Sequence, residues 1–303
     1  MLKDTLLYLA RQDSIRRFVS HNTVARKAAQ RFVAGETLAE AMTVAHELNG
    51  RHIGVSLDHL GENVADAAEA RSAAADYITI LDRISGEGAD ANISVKLTAL
   101  GLDVDEGLCR ENLTRVMERA RALNIFVRVD MEGSAYTERT IAMVLELRRD
   151  FEMIGTVIQS MLLRTPRDVE TLIESKTRVR LVKGAYLEPP EIAYPRKADV
   201  DVQYLRCMKQ LLEFGVYPAI ATHDERMLDE AQRFATQHAI NKARFEFQML
   251  YGIRRDLQER LARAGYNVRV YVPYGTQWYP YLTRRMAERP ANLMFVMGNA
   301  LRG

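Results

Sequence analysis

Short β-rich runs and helix-length stretches alternate along most of this chain with the rhythm of a repeated strand–helix unit. The runs are His52–Leu57, Ile93–Leu97, Ile125–Asp130, Thr156–Gln159, Val179–Lys183, Pro218–Thr222, Arg244–Gln248 and Val268–Val272. Ahead of them, from about Lys3 to Asn49, apolar residues fall at helical spacing, with Leu38, Met42, Ala45 and Leu48 recurring at three- and four-residue steps. No Pro/Gly/Ser-rich linker or low-complexity tract interrupts the series, so the pattern predicts a helical arm over residues 1–50 and one domain over 51–303. Eight sequential βα units over roughly 250 residues match a TIM-type (βα)8 barrel. A doubly wound sheet could also use eight strands, but no GxGxxG turn follows any run, and the α/β barrel is the better reading.

Side chains alternate between the faces of a strand, so each run divides by parity. One set is apolar: Ile53, Val55, Leu57; Ile93, Val95, Leu97; Val127, Val129; Val179, Leu181; Phe245, Phe247; Val268, Val270, Val272. It should pack under the outer helices. The other set is polar: Ser56, Asp58; Ser94, Lys96; Arg128, Asp130, Glu132; Arg178, Arg180; Arg244, Glu246, Gln248; Arg269, Tyr271. Charge inside a barrel costs several kcal/mol unless it is paired or solvated, so these groups form a salt-bridge lattice or serve a large polar cofactor. Spread over so many strands, they favour the cofactor. Active sites of such barrels lie at the C-terminal strand ends, which gathers Asp58, Lys96, Asp130, Gln159, Lys183, His223, Gln248 and Tyr271 around one mouth.

Composition narrows the function classes. With 42 Lys and Arg against 40 Asp and Glu, the net charge is +2, and no general field draws the chain to nucleic acid. Cys109 and Cys207 lack ligand spacing and read as reduced, buried thiols of an intracellular protein. The first residues lack the apolar core of a secretory signal, and no segment approaches the roughly 20 apolar residues that span a bilayer. These features lead to the expectation of a cytoplasmic protein, at most peripheral at the inner face of the cell membrane.

Three segments carry candidate chemistry. In TQWYPYLTRRMAERPAN a helix should begin near Pro280 and end before Pro290, over the barrel mouth. On it Tyr281, Arg284, Arg285 and Glu288 share an arc of about 100°. Paired guanidiniums fit a small carboxylate in a way that lysine cannot, although a solvated face with Arg–Glu pairing uses the same residues. In VRLVKGAYLEP, Lys183, Gly184, Ala185 and Tyr186 leave a strand tip where small residues admit close backbone approach by a planar or phosphate-bearing ligand. Lys183 there suits a phosphate contact, a cation beside a flavin, a Schiff-base nucleophile or a plain structural role. ATHDERM offers Thr222, His223 and Asp224, without the His/Asp/Glu spacing of a metal site, and no metal is expected.

Together, SLDHLGE, SVKLT, VRVDMEGS, RLVKGAY, ATHDE, FEFQMLYG, VRVYVPYG and YLTRRMAERPAN resemble the proline dehydrogenase family in its short bacterial form, over nearly everything from Arg51 to Asn299. The resemblance implies an FAD-bearing barrel that oxidises L-proline to 1-pyrroline-5-carboxylate and passes electrons to a membrane quinone. It puts the substrate's carboxylate on Arg284 and Arg285, and the rest of the pocket on Lys96, Asp130, Tyr186, Tyr271, Tyr281 and Glu288. It puts the flavin on Gln159, Arg180, Lys183, Gly184, Ala185, Tyr186, Thr222, His223, Glu246 and Gln248. Asp224 departs from the asparagine of the family pattern, and the stretch from Tyr271 to Tyr281 is shorter than in the long bifunctional relatives. From the residues alone, two other readings stand: another FAD barrel of the methylenetetrahydrofolate reductase kind, and an aldolase with a Schiff base on Lys96 or Lys183.

Overall fold

The computed structural model describes residues 31–62, 64–279 and 281. Eight parallel strands close into a barrel in chain order, with β8 returning to pair with β1. They are β1 (Gly54–His59), β2 (Ala91–Val95), β3 (Val127–Val129), β4 (Ile154–Gln159), β5 (Arg178–Val182), β6 (Ala219–Ala221), β7 (Glu246–Leu250) and β8 (Asn267–Tyr274). Helices follow in alternation: α1 (Leu38–Asn49) before β1, then α2 (Ala67–Glu87), α3 (Glu106–Ala122), α4 (Ser134–Leu147), α5 (Thr165–Glu174), α6 (Lys197–Phe214), α7 (Glu225–Gln237) and α8 (Arg255–Arg263). The expected TIM-type barrel is what forms.

Local chemistry sets the helix starts. Asp66, Asp105 and Asp224 each accept a backbone N–H of the first turn of α2, α3 and α7, and Thr37 with Glu40 makes a capping box for α1. At the other ends, a residue in left-handed backbone precedes every strand but β4: His52, Gly88, Asn124, Lys176, Tyr217, Ala239 and Gly265. That conformation turns the chain from helix back to strand. Tyr217 is the unusual member, since a bulky side chain rarely adopts a φ of 46°.

The apolar parity set is buried under the helices, in one continuous core that also takes Ala41, Met42, Ala45 and Leu48 of α1. Each such side chain contributes about 1.5–3 kcal/mol on burial. Hydrocarbon outside the strands therefore holds the barrel, and its interior is left to polar groups. Two glycines make room for them. A Cβ on Gly155 would come 2.4 Å from the Arg178 carbonyl and 2.7 Å from the Phe126 ring, and one on Gly54 would meet the Arg269 guanidinium at 2.8 Å.

Some expectations change. The helical pattern before Asn49 is broken over 31–37, where Gly35 has a φ of 121° and Ala34 donates to the Pro273 carbonyl. Arg244 is not an interior residue: Asn241 caps a short 3-10 turn (Lys242–Arg244), β7 begins only at Glu246, and Arg244 stays exposed. Trp278, Tyr279 and Tyr281 are helical, so the final helix is entered before Pro280. Residues 1–30, and with them most of the expected arm, lie outside the described residues, as do Arg284, Arg285 and Glu288.

Candidate active site

Inward parity brings Asp58, Lys96, Asp130, Arg180, Gln248 and Tyr271 into one connected network at the C-terminal end of the barrel. Lys96, just past β2, donates to Asp58 Oδ1 at 2.6 Å and stands 3.9 Å from Asp130 Oδ2. Asp130 is bound from two sides: Arg180 Nη1 donates to Oδ1 and the Tyr271 hydroxyl to Oδ2, each at 2.7 Å. Arg180 also donates from Nε to Gln248 Oε1 and from Nη2 to the Ser94 hydroxyl at 3.1 Å, while its guanidinium lies 5.2 Å over the Tyr271 ring. Ser94 and Ser56, 3.2 Å apart, floor the arginine. With four contacts on one planar cation, its position is fixed before any ligand binds.

Electrostatics follow from burial. Burial alone would favour a neutral Lys96 amine, but the carboxylates of Asp58 and Asp130 outweigh it and hold the pKa well above the ordinary lysine value. A Schiff-base lysine must shed its proton, so Lys96 is poorly suited to aldolase chemistry. Burial, then the Asp130 charge, pushes the Tyr271 phenol well above its usual pKa, so Tyr271 acts as a neutral donor. Asp58 Oδ2 is buried without a hydrogen-bond partner among the described residues, an unspent acceptor beside the Lys96 ammonium.

A second group rims the same mouth. Lys183 donates to Asp201 at 2.6 Å and to Asp224 at 2.9 Å. Although burial raises both carboxyls, the lysine contacts more than offset it and hold them below the normal aspartate range. The departure at Asp224 thus has a local use: it caps α7 and accepts Lys183. His223 Nε2 accepts the Leu250 backbone N–H at 2.9 Å, which sets a neutral ring with its proton on Nδ1. Gln159 donates to the Glu132 carbonyl, and the Thr222 hydroxyl accepts the Asp224 N–H. Gly184, with a φ of 115°, sits where a Cβ would strike the Met161 side chain at 2.3 Å, so glycine is required for the chain to leave β5 at this angle, ahead of Ala185.

Past Ala185, Tyr186 packs with Met161 and Leu162 in a small apolar cluster. Glu188 then reaches across to α4, accepting the Ser134 N–H at 2.7 Å and the Ser134 hydroxyl. It caps a helix whose own N-cap, Gly133, has no side chain to do so. Tyr281 is buried against Phe32, Val33, Leu60 and Trp278, and Tyr271 packs on the same group. The structure therefore unites Lys96, Asp130, Arg180, Gln248 and Tyr271, rims them with Gln159, Lys183, Thr222 and His223, and places Tyr281 in the apolar cluster on which Tyr271 packs. Glu246 is different. It lies one layer deeper, bound to Gln248 and to Arg269 Nε at 3.0 Å, and lines a cavity at the opposite end of the barrel. Sequence reasoning passed over Asp201 and Glu188 as site residues: both lie in polar stretches whose spacing carries no signal for a contact across the mouth.

A closed parallel barrel with a preorganised ion network at its C-terminal mouth defines a barrel enzyme. Which one follows from comparison with known proteins. A family model described as proline dehydrogenase matches residues 41–297, and the chain belongs to the proline dehydrogenase family, a family of oxidoreductases. It is similar to proline dehydrogenase 2 of Bacillus subtilis strain 168, 38% identical over 293 residues that cover 97% of this chain and 96% of the relative. A proline dehydrogenase of Deinococcus radiodurans is 43% identical over 280 residues, covering 91% and 90%. Among solved structures, proline utilization A from Bdellovibrio bacteriovorus inactivated by N-propargylglycine aligns with a TM-score of 0.84 at 26% identity, over 98% of this chain. The chain spans 39% of that larger protein.

Proposed function

We propose that this protein oxidises L-proline to 1-pyrroline-5-carboxylate with bound FAD and delivers the electrons to a membrane quinone. The observation that carries the reading is Arg180, held by Asp130, Gln248 and Ser94 at the mouth of a barrel of this family.

The donor set suits a flavin. Amide, hydroxyl, imidazole and ammonium groups of Gln159, Gln248, Thr222, His223 and Lys183 ring the same strand ends around Arg180, with Gly184 and Ala185 adding little bulk to the rim. FAD, when bound, supplies the hydride acceptor. Arg180 stabilises negative charge that develops beside it, and its fixed geometry spares reorganisation during the reaction. Lys96 and Asp130 keep the floor of the substrate pocket charge-matched. Arg284 and Arg285 bind the carboxylate, Glu288 orients them, and Tyr186, Tyr271 and Tyr281 enclose the ring. The substrate amine reacts as the neutral form, so no dedicated base is required. Among the described residues no helix is long and apolar enough to cross a membrane, which suits contact with the quinone at the membrane surface.

The test is an absorption spectrum of the purified protein followed by anaerobic L-proline. A flavin spectrum that bleaches, and returns on adding a soluble quinone, is expected. A colourless protein, or a flavin that proline leaves oxidised, overturns the reading. Arg285→Lys checks the clamp: KM for proline should rise by about tenfold or more with FAD content unchanged. Equal loss of both would remove the assigned role.

A further inference from the structure

The barrel has a second polar opening, at the N-terminal ends of the strands and away from the network just described. A cavity of roughly 170 Å³ lies there, room for several waters at about 30 Å³ each. Three guanidiniums line it, those of Arg128, Arg178 and Arg269, against the carboxylates of Asp90 and Glu246. Both carboxylates are already engaged by Arg269, with Glu246 at 3.0 Å and Asp90 at 3.4 Å. Among the described residues, neither Arg128 nor Arg178 has a carboxylate within ion-pair distance, although Glu246 and Asp130 act on Arg128 from further off.

Their surroundings compound the imbalance. Arg128 is almost wholly buried, donates from Nη1 to the carbonyls of Thr156 and Arg178, and keeps Nε buried with no acceptor. Burial, then Arg180, lowers its pKa to about 9, and the charges of Glu246 and Asp130 offset this only in part. The Arg178 guanidinium lies over two rings, 5.1 Å from Phe126 and 5.2 Å from Tyr217. Stacking covers the faces of a guanidinium and leaves its N–H edge available in the plane. One of these rings belongs to Tyr217, whose left-handed backbone turns the chain into β6 and sets the ring beside the arginine.

We infer that this opening is a binding site for a small oxyanion, taken by the edges of Arg178 and Arg128. An oxyanion of phosphate or carboxylate type would supply the acceptors and the negative charge that these two arginines lack. Asp90 and Glu246 limit its charge and size, and Arg269 screens them from it.

The experiment uses protein saturated with FAD, so that any phosphate-binding surface at the other mouth is filled. Inorganic phosphate, sulfate and acetate are titrated by calorimetry and by melting temperature, against chloride at matched ionic strength. Saturable binding of at least one oxyanion is expected, weakened about tenfold or more in Arg178→Gln. Tyr217→Leu, which removes one stacking ring and a hydroxyl bonded to Glu246 but no charge, should weaken it less. Absence of saturable binding overturns the site, as does equal binding by wild type and Arg178→Gln. Should Arg178→Gln fail to fold, undiminished binding by Tyr217→Leu overturns it equally.

Discussion

The two mouths of the barrel solve the same problem in different ways. At the C-terminal mouth each of these cations meets a carboxylate: buried Lys96 meets Asp58, buried Arg180 meets Asp130, and half-buried Lys183 meets Asp201 and Asp224. At the N-terminal mouth Arg269 takes both acids, while Arg128 relies on backbone carbonyls and Arg178 on aromatic faces. Charge matched by charge gives a rigid floor on which a reaction can be staged. Charge matched only by dipoles and rings retains an appetite for an anion.

Breaking the first arrangement should cost most. Lys96→Met strands Asp58 in the interior, where Lys96 is its ion-pair partner, and a loss of about 3–5 kcal/mol is expected in denaturant unfolding, with activity lost as well. Next comes the room made for arginine at the second mouth. Gly155→Ala drives a methyl into the Arg178 carbonyl, a contact that backbone cannot yield cheaply, and should cost about 1–3 kcal/mol while leaving KM for proline unchanged. Arg178→Gln removes stacking but orphans no acid, so its cost should stay near 1 kcal/mol. A loss as large as that of Lys96→Met would erase the distinction between the mouths.

The smallest effect concerns the rim and shows itself through pH. Asp201 and Asp224 are held below the reference aspartate value of 3.8. A depressed carboxyl contributes stability above its unfolded pKa and loses it as pH falls through the folded one. Melting temperature followed from about pH 5 to about pH 3 should therefore drop less steeply in Asp201→Asn than in wild type. Parallel curves would show that the lysine contacts do not persist in solution.

The fold was legible because successive side chains of a strand point to opposite faces, and in this barrel one face is apolar and the other polar. The apolar set Val55, Val129, Leu181 and Val270 named the outer face, and the polar set named the interior that Lys96, Asp130, Arg180 and Tyr271 share. Parity cannot tell which end of a strand a residue lies near, so Glu246 and Gln248 share a set although Glu246 lines the cavity at the other end of the barrel. Nor does it mark where a strand begins, so Arg244 was counted inside although a 3-10 turn holds it out. Contacts between loops were beyond reach for a different reason: Asp201 and Glu188 act across 18 and 54 positions of sequence, and nothing local announces either partner.

The Glu188 contact ties two events into one equilibrium. The loop that carries Tyr186 cannot swing out without withdrawing the carboxylate that caps α4, so the first turn of that helix must loosen whenever the loop departs. Amide exchange at Ser134 would then count excursions of a segment more than fifty residues away. Anything that fills the mouth and keeps the loop home should slow that exchange in proportion.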